Sequence, residues 1–305
     1  MKDISIITTT FNSSETIRIF DRQIRNQLQN LGLTYEIIYV DDGSSDDTTD
    51  ILKEICRNSN DTRAFIFSRN FGQHKALWAG ISKSSGKWSF LTDSDLEESP
   101  SNFEIYWKAK KENPDIDIFM GYQSPRRGSG WGRFIGSITW KLISKISDTH
   151  IPINLVTSRL FSSNIRDAII SFAEKEIFIA HTFAYTGFRQ HLIPIEKLSL
   201  NKSHYTFAKK LKVALDGITN TSIKPLYFTF IFGVFFEILV ILSILILGFL
   251  RVKGATDVAG WTTLIVLNLF TSGIILLSIG IVGLYISRVF LEVKGKPSFI
   301  IRDEY

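Results

Sequence analysis

The chain has 305 residues and a formal net charge of +5, which is modest for this length. Such a length exceeds one average domain and predicts two structural units. The single cysteine, Cys56, excludes a disulfide framework and a cysteine-based zinc site within one chain. Roughly the first 220 residues have the composition of a soluble protein, whereas the remainder is mostly apolar. No long apolar signal segment opens the chain, so we expect the soluble part in the cytoplasm.

Five short apolar runs rich in β-branched or aromatic residues are predicted as strands, and helical segments are predicted between them. In chain order the strands are Ile4 to Thr10, Tyr35 to Val40, Ala64 to Phe67, Trp88 to Thr92 and Ile116 to Gly121. Helices are expected after Asn12, after the second strand to about Arg57, after Gly72 and from Ser99-Pro100. This alternation predicts an α/β, Rossmann-like fold with a mostly parallel sheet covered on both faces.

Two carboxylates follow the fourth strand in the segment W-S-F-L-T-D-S-D-L, where they are Asp93 and Asp95. A buried strand that ends in Asp-x-Asp directs both side chains out of the carboxyl edge of the sheet, where α/β proteins bind ligands. Two carboxylates on a short turn suit a hard divalent cation that takes its other ligands from water and substrate phosphates. The pattern therefore predicts a metal site for a phosphorylated substrate.

A glycine- and arginine-rich loop is predicted after the fifth strand, from Ser124 to Arg133. The following segment, Phe134 to Ile146, mixes apolar residues with two lysines and has two interpretations: an amphipathic helix in a membrane interface or an ordinary core-facing helix. Phe207 to Ile218 repeats this pattern directly before the apolar region, where interfacial placement is favoured. Basic residues cluster in these segments and near the C-terminus, which suits phosphate groups or an anionic leaflet better than nucleic acid.

Two segments, Leu226 to Leu250 and Trp261 to Ile286, are long and apolar enough to cross a hydrocarbon core of ~30 Å. Only Glu237 is charged within them, and we expect it to be protonated, paired or turned toward another helix. Lysines and arginines flanking the pair outnumber those of the connector, which predicts that both ends are cytoplasmic. The small residues from Ser278 to Gly283 suit helix contacts and leave a homo-oligomer possible.

An ordered set of motifs surrounds these predicted strands: F-N after the first, V-D-D-G-S-S-D-D-T around the end of the second, S-R-N-F-G after the third and T-D-S-D-L-E-E-S-P around the end of the fourth. This set resembles the inverting family 2 glycosyltransferases of GT-A fold. With two C-terminal spans and N-x-x-x-x-R-L from Asn154 to Leu160, the whole chain resembles the polyprenyl-phosphate branch. That branch includes dolichol-phosphate mannose synthases and the bactoprenol glucosyltransferases of O-antigen modification.

The resemblance implies a role for each matching residue. It places Thr9, Phe11, Asp42 and Asp93 at the nucleotide sugar, and Asp93 and Asp95 on Mg²⁺ or Mn²⁺. It assigns catalytic positions to Asp95, Glu98 and Arg159. The acceptor phosphate would be bound by six basic or hydroxyl-bearing residues: Arg126, Arg127, Arg133, Lys202, Ser203 and His204. Arg159 is a further candidate for this phosphate. Asp-Gly-Ser is also a common plain turn, so Asp42 in isolation has a purely structural interpretation.

Four positions depart from the family pattern, which bears on the identity of the sugar more than on the reaction. Ser13 replaces an acidic residue, Glu97 a glutamine, Thr157 an aspartate and His204 a basic residue. A phosphate nucleophile with a second pKa near ~6 is already largely anionic at neutral pH, so it needs no strong general base. The lost aspartate is therefore tolerable.

Taken with the two spans, the resemblance implies a hexosyltransferase of a bacterial inner membrane, multi-pass, with its catalytic domain in the cytoplasm. Its donor would be a nucleotide-diphosphate sugar, with UDP favoured and dTDP possible, and its acceptor an undecaprenyl-type polyprenyl phosphate. The implied units are a GT-A domain (1–205), a juxtamembrane amphipathic helix (206–224), a transmembrane pair (225–287) and a cytoplasmic tail (288–305).

Three other classes share part of this pattern. A processive polysaccharide synthase usually carries Q-x-x-R-W, which is absent from the sequence, and more spans. A nucleotidyltransferase would use an Asp-x-Asp site without needing two terminal spans. A membrane scaffold with a degenerate transferase domain is the non-enzymatic alternative, and metal-dependent binding of a nucleotide sugar would distinguish it from an enzyme.

Overall fold

The computed structural model describes residues 2–123, 152, 154–172, 178–196, 222–253 and 260–305. Within them the strands are β1 (Ile4–Thr10), β2 (Tyr35–Asp41), β3 (Thr62–Phe67), β4 (Trp88–Asp93), β5 (Ile118–Gln123), β6 (Leu155–Ser162), β7 (Gln190–Ile195) and β8 (Ile301–Glu304). The helices are α1 (Ile17–Asn30), α2 (Thr48–Arg57), α3 (Gln73–Lys83), α4 (Asn102–Glu112), α5 (Ser163–Ile170), α6 (Ile179–Tyr185), α7 (Lys224–Val252) and α8 (Trp261–Val293).

The eight strands form one mixed sheet in the order β7-β5-β6-β4-β1-β2-β3-β8. Its centre is parallel, because β1 pairs in parallel with β2 and β4, and β2 with β3. β6 and β8 run antiparallel to their neighbours, whereas β5 and β7 pair in parallel. The predicted mostly parallel α/β sheet is confirmed, and the two reversed strands are features that the sequence pattern did not predict.

Helices cover both faces of this sheet, as alternation along β1 illustrates. Ile4 and Ile6 pack on one side with α1, α2 and α4, whereas Ile7 packs on the other side with α3, α5 and α6. Successive strand residues point to opposite faces, so a continuous β-branched run supplies both layers at once. β1 is accordingly buried along its whole length. Because β1, β2 and β4 are paired in parallel, their carboxyl ends lie side by side at one edge of the sheet.

The two apolar segments form the long helices α7 and α8, which are in contact. The ring centroids of Phe236 and Phe270 are 5.7 Å apart, and the Tyr285 hydroxyl donates a hydrogen bond of 2.7 Å to the Ser222 carbonyl oxygen. Both helices are long and apolar enough to cross a membrane, over Lys224–Ser243 and Phe270–Val293, and neither window is buried within the chain.

The chain returns to the sheet after α8. β8 pairs antiparallel with β3, and the amide nitrogens and carbonyl oxygens of Ala64 and Tyr305 exchange two hydrogen bonds of 2.9 Å. The last residues, assigned from the sequence to a tail, thus complete the sheet of the N-terminal domain. The predicted loop 124–133 and the amphipathic segments 134–146 and 207–218 lie outside the described residues. Residue 237 belongs to α7, and the prediction for its side chain stays a prediction.

Candidate active site

A cavity of about 450 Å³ opens at the carboxyl edge of β1, β2 and β4, beside the N-terminus of α3. Its position is set by strand register, because β1 pairs Thr9 with Asp93 of β4 and Thr10 with Asp41 of β2. The residues predicted at the nucleotide and the metal all line this cavity: Thr9, Phe11, Asp42, Asp93 and Asp95. Six neighbouring residues complete its lining: Thr10, Ser13, Asn70, Gly72, Gln73 and Ser94.

Asp93 and Asp95 lie at the end of β4 and on the turn that follows it. Asp93 is largely buried, and its Oδ1 accepts a hydrogen bond of 2.8 Å from Gln73 Nε2 of α3. Asp95 is exposed, and its Oδ1 accepts 2.9 Å from the Glu97 amide. Leu96, which lies between Asp95 and Glu97, has φ of +61°, an unusual conformation for a branched residue and one that belongs to a tight turn.

This pair fits a hard divalent cation that is completed by a ligand. Among the described residues no cluster of three or more histidine, cysteine, aspartate or glutamate side chains could enclose a metal. Two carboxylates at an open edge leave the remaining coordination positions to water and to phosphate oxygens, which is how Mg²⁺ is commonly held. The donor set therefore suits a metal that arrives with, or is shared by, a diphosphate.

Asp42 forms the wall of the cavity on the β2 side. Its Oδ1 accepts 2.7 Å from the Phe71 amide and its Oδ2 accepts 3.0 Å from the Gly72 amide. Burial raises the pKa of Asp42, the two amides oppose that rise, and neighbouring Asp41 adds to it. The carboxylate thereby joins the turn after β2 to the loop after β3, so its described contacts are with the protein's own backbone.

The turn after β2 can approach that loop only because residue 43 is glycine. Gly43 has φ of +72°, and a Cβ atom there would lie 2.5 Å from the Arg69 carbonyl carbon. Asn12, with φ of +50°, ties the β1 loop to the same turn, since its amide donates 2.8 Å to Ser44 Oγ. Phe11 is left 50% exposed at the cavity, where its ring presents an apolar face.

Glu98 and Arg159, both predicted as catalytic, lie behind the Asp93–Asp95 pair. Glu98 is 1% exposed and accepts hydrogen bonds of 3.2 Å from the amides of Thr157 and Ser158. These contacts join the turn that carries Asp95 to β6, the strand that carries Arg159. The geometry makes Glu98 a positioning residue, and a direct role in the reaction stays a prediction.

Arg159 is a buried cation that has no carboxylate partner in the part of the chain that the structure describes. It is 4% exposed, Nε and Nη2 each donate 3.1 Å to the carbonyl oxygens of Thr157 and Val156, and Nη1 has no hydrogen-bond partner. No described carboxylate lies within ion-pair distance. Burial lowers the pKa of Arg159 to about 10, although Tyr106, Glu98 and Asp93 act in the opposite direction.

Strand register places Arg159 on the same sheet face as Asp93. Arg159 pairs directly with Leu91 across β4 and β6, so it shares a sheet face with Asp93 two residues further along β4. The pKa of His74 on α3 is lowered by desolvation and then by the charge of Arg159, although the residue as a whole is exposed. A positive, partly dehydrated corner thus adjoins the two carboxylates.

Sequence reasoning missed Gln73, whose position directly after the S-R-N-F-G motif was the available signal. Six residues predicted to bind the acceptor phosphate lie outside the described residues and stay predictions: Arg126, Arg127, Arg133, Lys202, Ser203 and His204.

Residues 5–169 of the chain match the family described as Glycosyl transferase family 2. The chain belongs to this family. It is therefore a glycosyltransferase, and the cavity at the carboxyl edge of its sheet is its candidate active site. The resemblance inferred from the motifs is confirmed.

Relatives extend the similarity over the full length. A protein named as a putative glycosyltransferase from Mycobacterium tuberculosis is 33% identical over 306 residues, which cover 99% of this chain and 88% of that protein. A prophage-derived bactoprenol glucosyl transferase from Shigella flexneri is 28% identical over 312 residues, covering 99% and 98%. A solved mannosyltransferase from Pyrobaculum calidifontis, in complex with GDP-Man and Mn²⁺, is 18% identical with a TM-score of 0.48, covering 67% of this chain and 59% of that one.

Proposed function

We propose that this glycosyltransferase transfers a sugar, with inversion, from a nucleotide-diphosphate sugar to a polyprenyl phosphate at a membrane surface. The observation that carries the proposal is Arg159. An arginine buried without a counterion is costly to the folded protein, since desolvation is not offset by an ion pair. Its Nη1 has no hydrogen-bond partner among the described residues, and an anionic group that binds on the sheet face shared with Asp93 during the reaction would supply one.

The donor is proposed to occupy the cavity lined by Thr9, Phe11, Asp42 and Asp93. Its volume of about 450 Å³ is in the range of small-molecule sites. Phe11 would contact the nucleotide, and Asp93 and Asp95 would hold Mg²⁺ or Mn²⁺. Such a cation would stabilise the charge that develops on the departing diphosphate.

The acceptor phosphate is proposed to approach from the Arg159 side of the same edge. Guanidinium groups bind phosphate through directed, charge-assisted hydrogen bonds, and the free Nη1 can donate one. A phosphate oxygen then attacks the anomeric carbon from the face opposite the leaving group. The new carbon–oxygen bond forms as the bond to the diphosphate breaks, which releases a nucleoside diphosphate. Positioning and electrostatics would supply most of the rate.

Two features support a lipid as the carrier of that phosphate. Full-length relatives are named bactoprenol glucosyl transferases. The helices α7 and α8 also present unburied apolar surfaces of sufficient length to cross a bilayer. A chain that anchors its catalytic domain in this way keeps the active site near lipid headgroups.

The pairing of β8 with β3 supports a two-crossing topology. β1 to β4 precede α7 and β8 follows α8, yet all belong to one sheet and so lie on one side of the membrane. Two crossings satisfy this requirement, whereas one crossing would separate β8 from its partner. Basic residues before α7 and after α8 favour the cytoplasmic side of a bacterial inner membrane.

The test is a transfer assay with the full-length protein in lipid nanodiscs. Radiolabelled UDP-, dTDP- and GDP-sugars are each incubated with undecaprenyl phosphate, with Mn²⁺, Mg²⁺ or EDTA. We expect one donor to yield a labelled glycosyl phospholipid, loss of product with EDTA, and no product with undecaprenol, which lacks the phosphate. The anomeric configuration of the product reports inversion. Transfer to undecaprenol, or full activity in EDTA, would contradict the proposal.

A further inference from the structure

A continuous line of contacts joins the C-terminal strand to the wall of the active-site cavity. It begins at Phe299, which precedes β8 and stacks on Phe67, the last residue of β3, with ring centroids 5.0 Å apart and planes 12° from parallel. Phe67 meets the edge of Phe71 at 5.7 Å and 90°. The amides of Phe71 and Gly72 donate to the carboxylate of Asp42.

Backbone pairing between β3 and β8 fixes the contact between Phe299 and Phe67. The Ser68 amide donates 3.0 Å to the Ile300 carbonyl oxygen, and Phe67 is the β3 partner of Ile301. The β3–β8 register is irregular between Ile66 and Phe67, so the backbone at the end of β3 is positioned by its pairing with β8. Phe299 and Ile301 are only partly buried, and both pack against the core layer that contains Phe67.

Other described contacts of this loop are at its two ends, where Gly43 packs against the Arg69 backbone and Gln73 Nε2 donates 2.8 Å to Asp93 Oδ1. Arg69 is exposed and its guanidinium carbon lies 4.3 Å from the Phe71 ring centroid, which is a surface contact. Gly72 has φ of +103° and no neighbour within 4 Å of a Cβ built on it. Among the described residues the loop is thus held by Asp42, by the turn at Gly43, by the bond of Gln73 to Asp93 and by the Phe67–Phe71–Phe299 cluster, and only this cluster contains the Phe71 side chain.

We infer that Phe299 is a positioning residue for the donor site: by supporting Phe71 it holds the loop of Asn70 to Gln73 against Asp42, and so forms the wall that a nucleotide contacts. The inference rests on the proposed function for the identity of that ligand. Phe299 would also connect the membrane helices to the donor site, because it lies in residues 294–300, the segment between α8 and β8. The donor site is complete only after both apolar helices have been synthesised.

The inference predicts a selective effect of Phe299→Ala in the full-length protein. With UDP-glucose as donor, the KM for the donor should rise about five- to tenfold while kcat changes less than about twofold, since a displaced wall weakens ground-state and transition-state binding alike. The KM for undecaprenyl phosphate should not change. Phe299→Tyr keeps the stacked ring and should restore the donor KM. Ile300→Ala is the matched control, because this neighbouring side chain is 51% exposed.

Hydrogen exchange provides a readout that does not depend on activity. In the ligand-free protein, the Phe71 and Gly72 amides should lose protection in Phe299→Ala and keep it in Ile300→Ala, because opening the loop breaks their bonds to Asp42. Unchanged protection and an unchanged donor KM would overturn the inference. If the wild type transfers no sugar from any donor, the proposed function fails, and the exchange result still decides the role of Phe299. A global loss of protection would mean that Phe299 only stabilises the fold, which also overturns it.

Discussion

Replacing Arg159 by methionine distinguishes a ligand-binding arginine from a structural one. Methionine matches the apolar stem of the side chain and removes its charge. Burial lowers the pKa of Arg159 from 12.5 to about 10. The difference between these values corresponds to roughly 3 kcal/mol by which folding disfavours the charged group. Because the pKa is lower in the folded state, this cost is present in full at every pH below about 10, including neutral pH.

The substitution also removes favourable contacts. The carbonyl oxygens of Thr157 and Val156 each lose a hydrogen bond of 3.1 Å, at a cost of about 1 kcal/mol each. The stacking of the guanidinium on Phe183, 5.0 Å from its ring centroid, is lost as well, at about 0.5–1 kcal/mol. The gains and losses nearly cancel. We therefore expect the melting temperature to change by less than about 4 °C.

Activity should respond much more strongly than stability. Loss of one charge-assisted hydrogen bond to phosphate costs about 1.5–3 kcal/mol, which lowers kcat/KM for undecaprenyl phosphate about 10- to 100-fold. Arg159→Lys keeps the charge without the planar fork and should lose less. The control is Arg18→Ala, since the ion pair that Arg18 forms with Glu54 among the described residues is exposed.

The assays are thermal unfolding of the full-length protein in detergent and initial transfer rates at varied lipid phosphate. A fall of more than about 10 °C in melting temperature, with kcat/KM unchanged, would refute the reasoning, because it would make Arg159 a structural residue.

Three further substitutions test separate parts of the site and the fold. Asp95→Ala should reduce transfer below about one-thousandth, with membrane insertion by carbonate extraction intact, and near-normal turnover would contradict the metal site. Gly43→Ala should raise the donor KM and lower the melting temperature, because its Cβ would lie 2.5 Å from backbone at a φ of +72°; unchanged values would count against that close approach. Burial raises the pKa of Glu36, but hydrogen bonds from Ser5 and Ser85 with the charge of Arg63 lower it overall, so its stabilisation is lost as the pH falls through the folded-state value. Glu36→Gln should therefore unfold about 2 kcal/mol more easily at neutral pH and show a flatter decline toward acid, as measured by melting curves across pH.

Local pattern was sufficient for the central sheet and for the residues at its edge. The run from Ile4 to Thr10 was predicted with the bounds it has in the structure, because a β-branched run buried on both faces has few alternatives. Asp42, Asp93 and Asp95 meet at one cavity because parallel strands end at the same edge. The presence of two long apolar helices likewise follows from composition, although α8 extends to Val293, beyond the predicted end at Ile286.

Contacts between distant segments could not be read in this way. Ile301 to Glu304 has no local signal that selects β3 as its partner, since strand pairing depends on which edge is free after the chain has folded. The unpaired Nη1 of Arg159 is a property of the whole environment of β6, and no motif records a missing counterion. Asp42 was identified as a site residue from its motif, yet its bonds to Phe71 and Gly72 arise only when two loops meet. Sequence periodicity thus specified which side chains reach the active-site edge, and tertiary packing specified which of them are held by the protein and which remain available to a ligand.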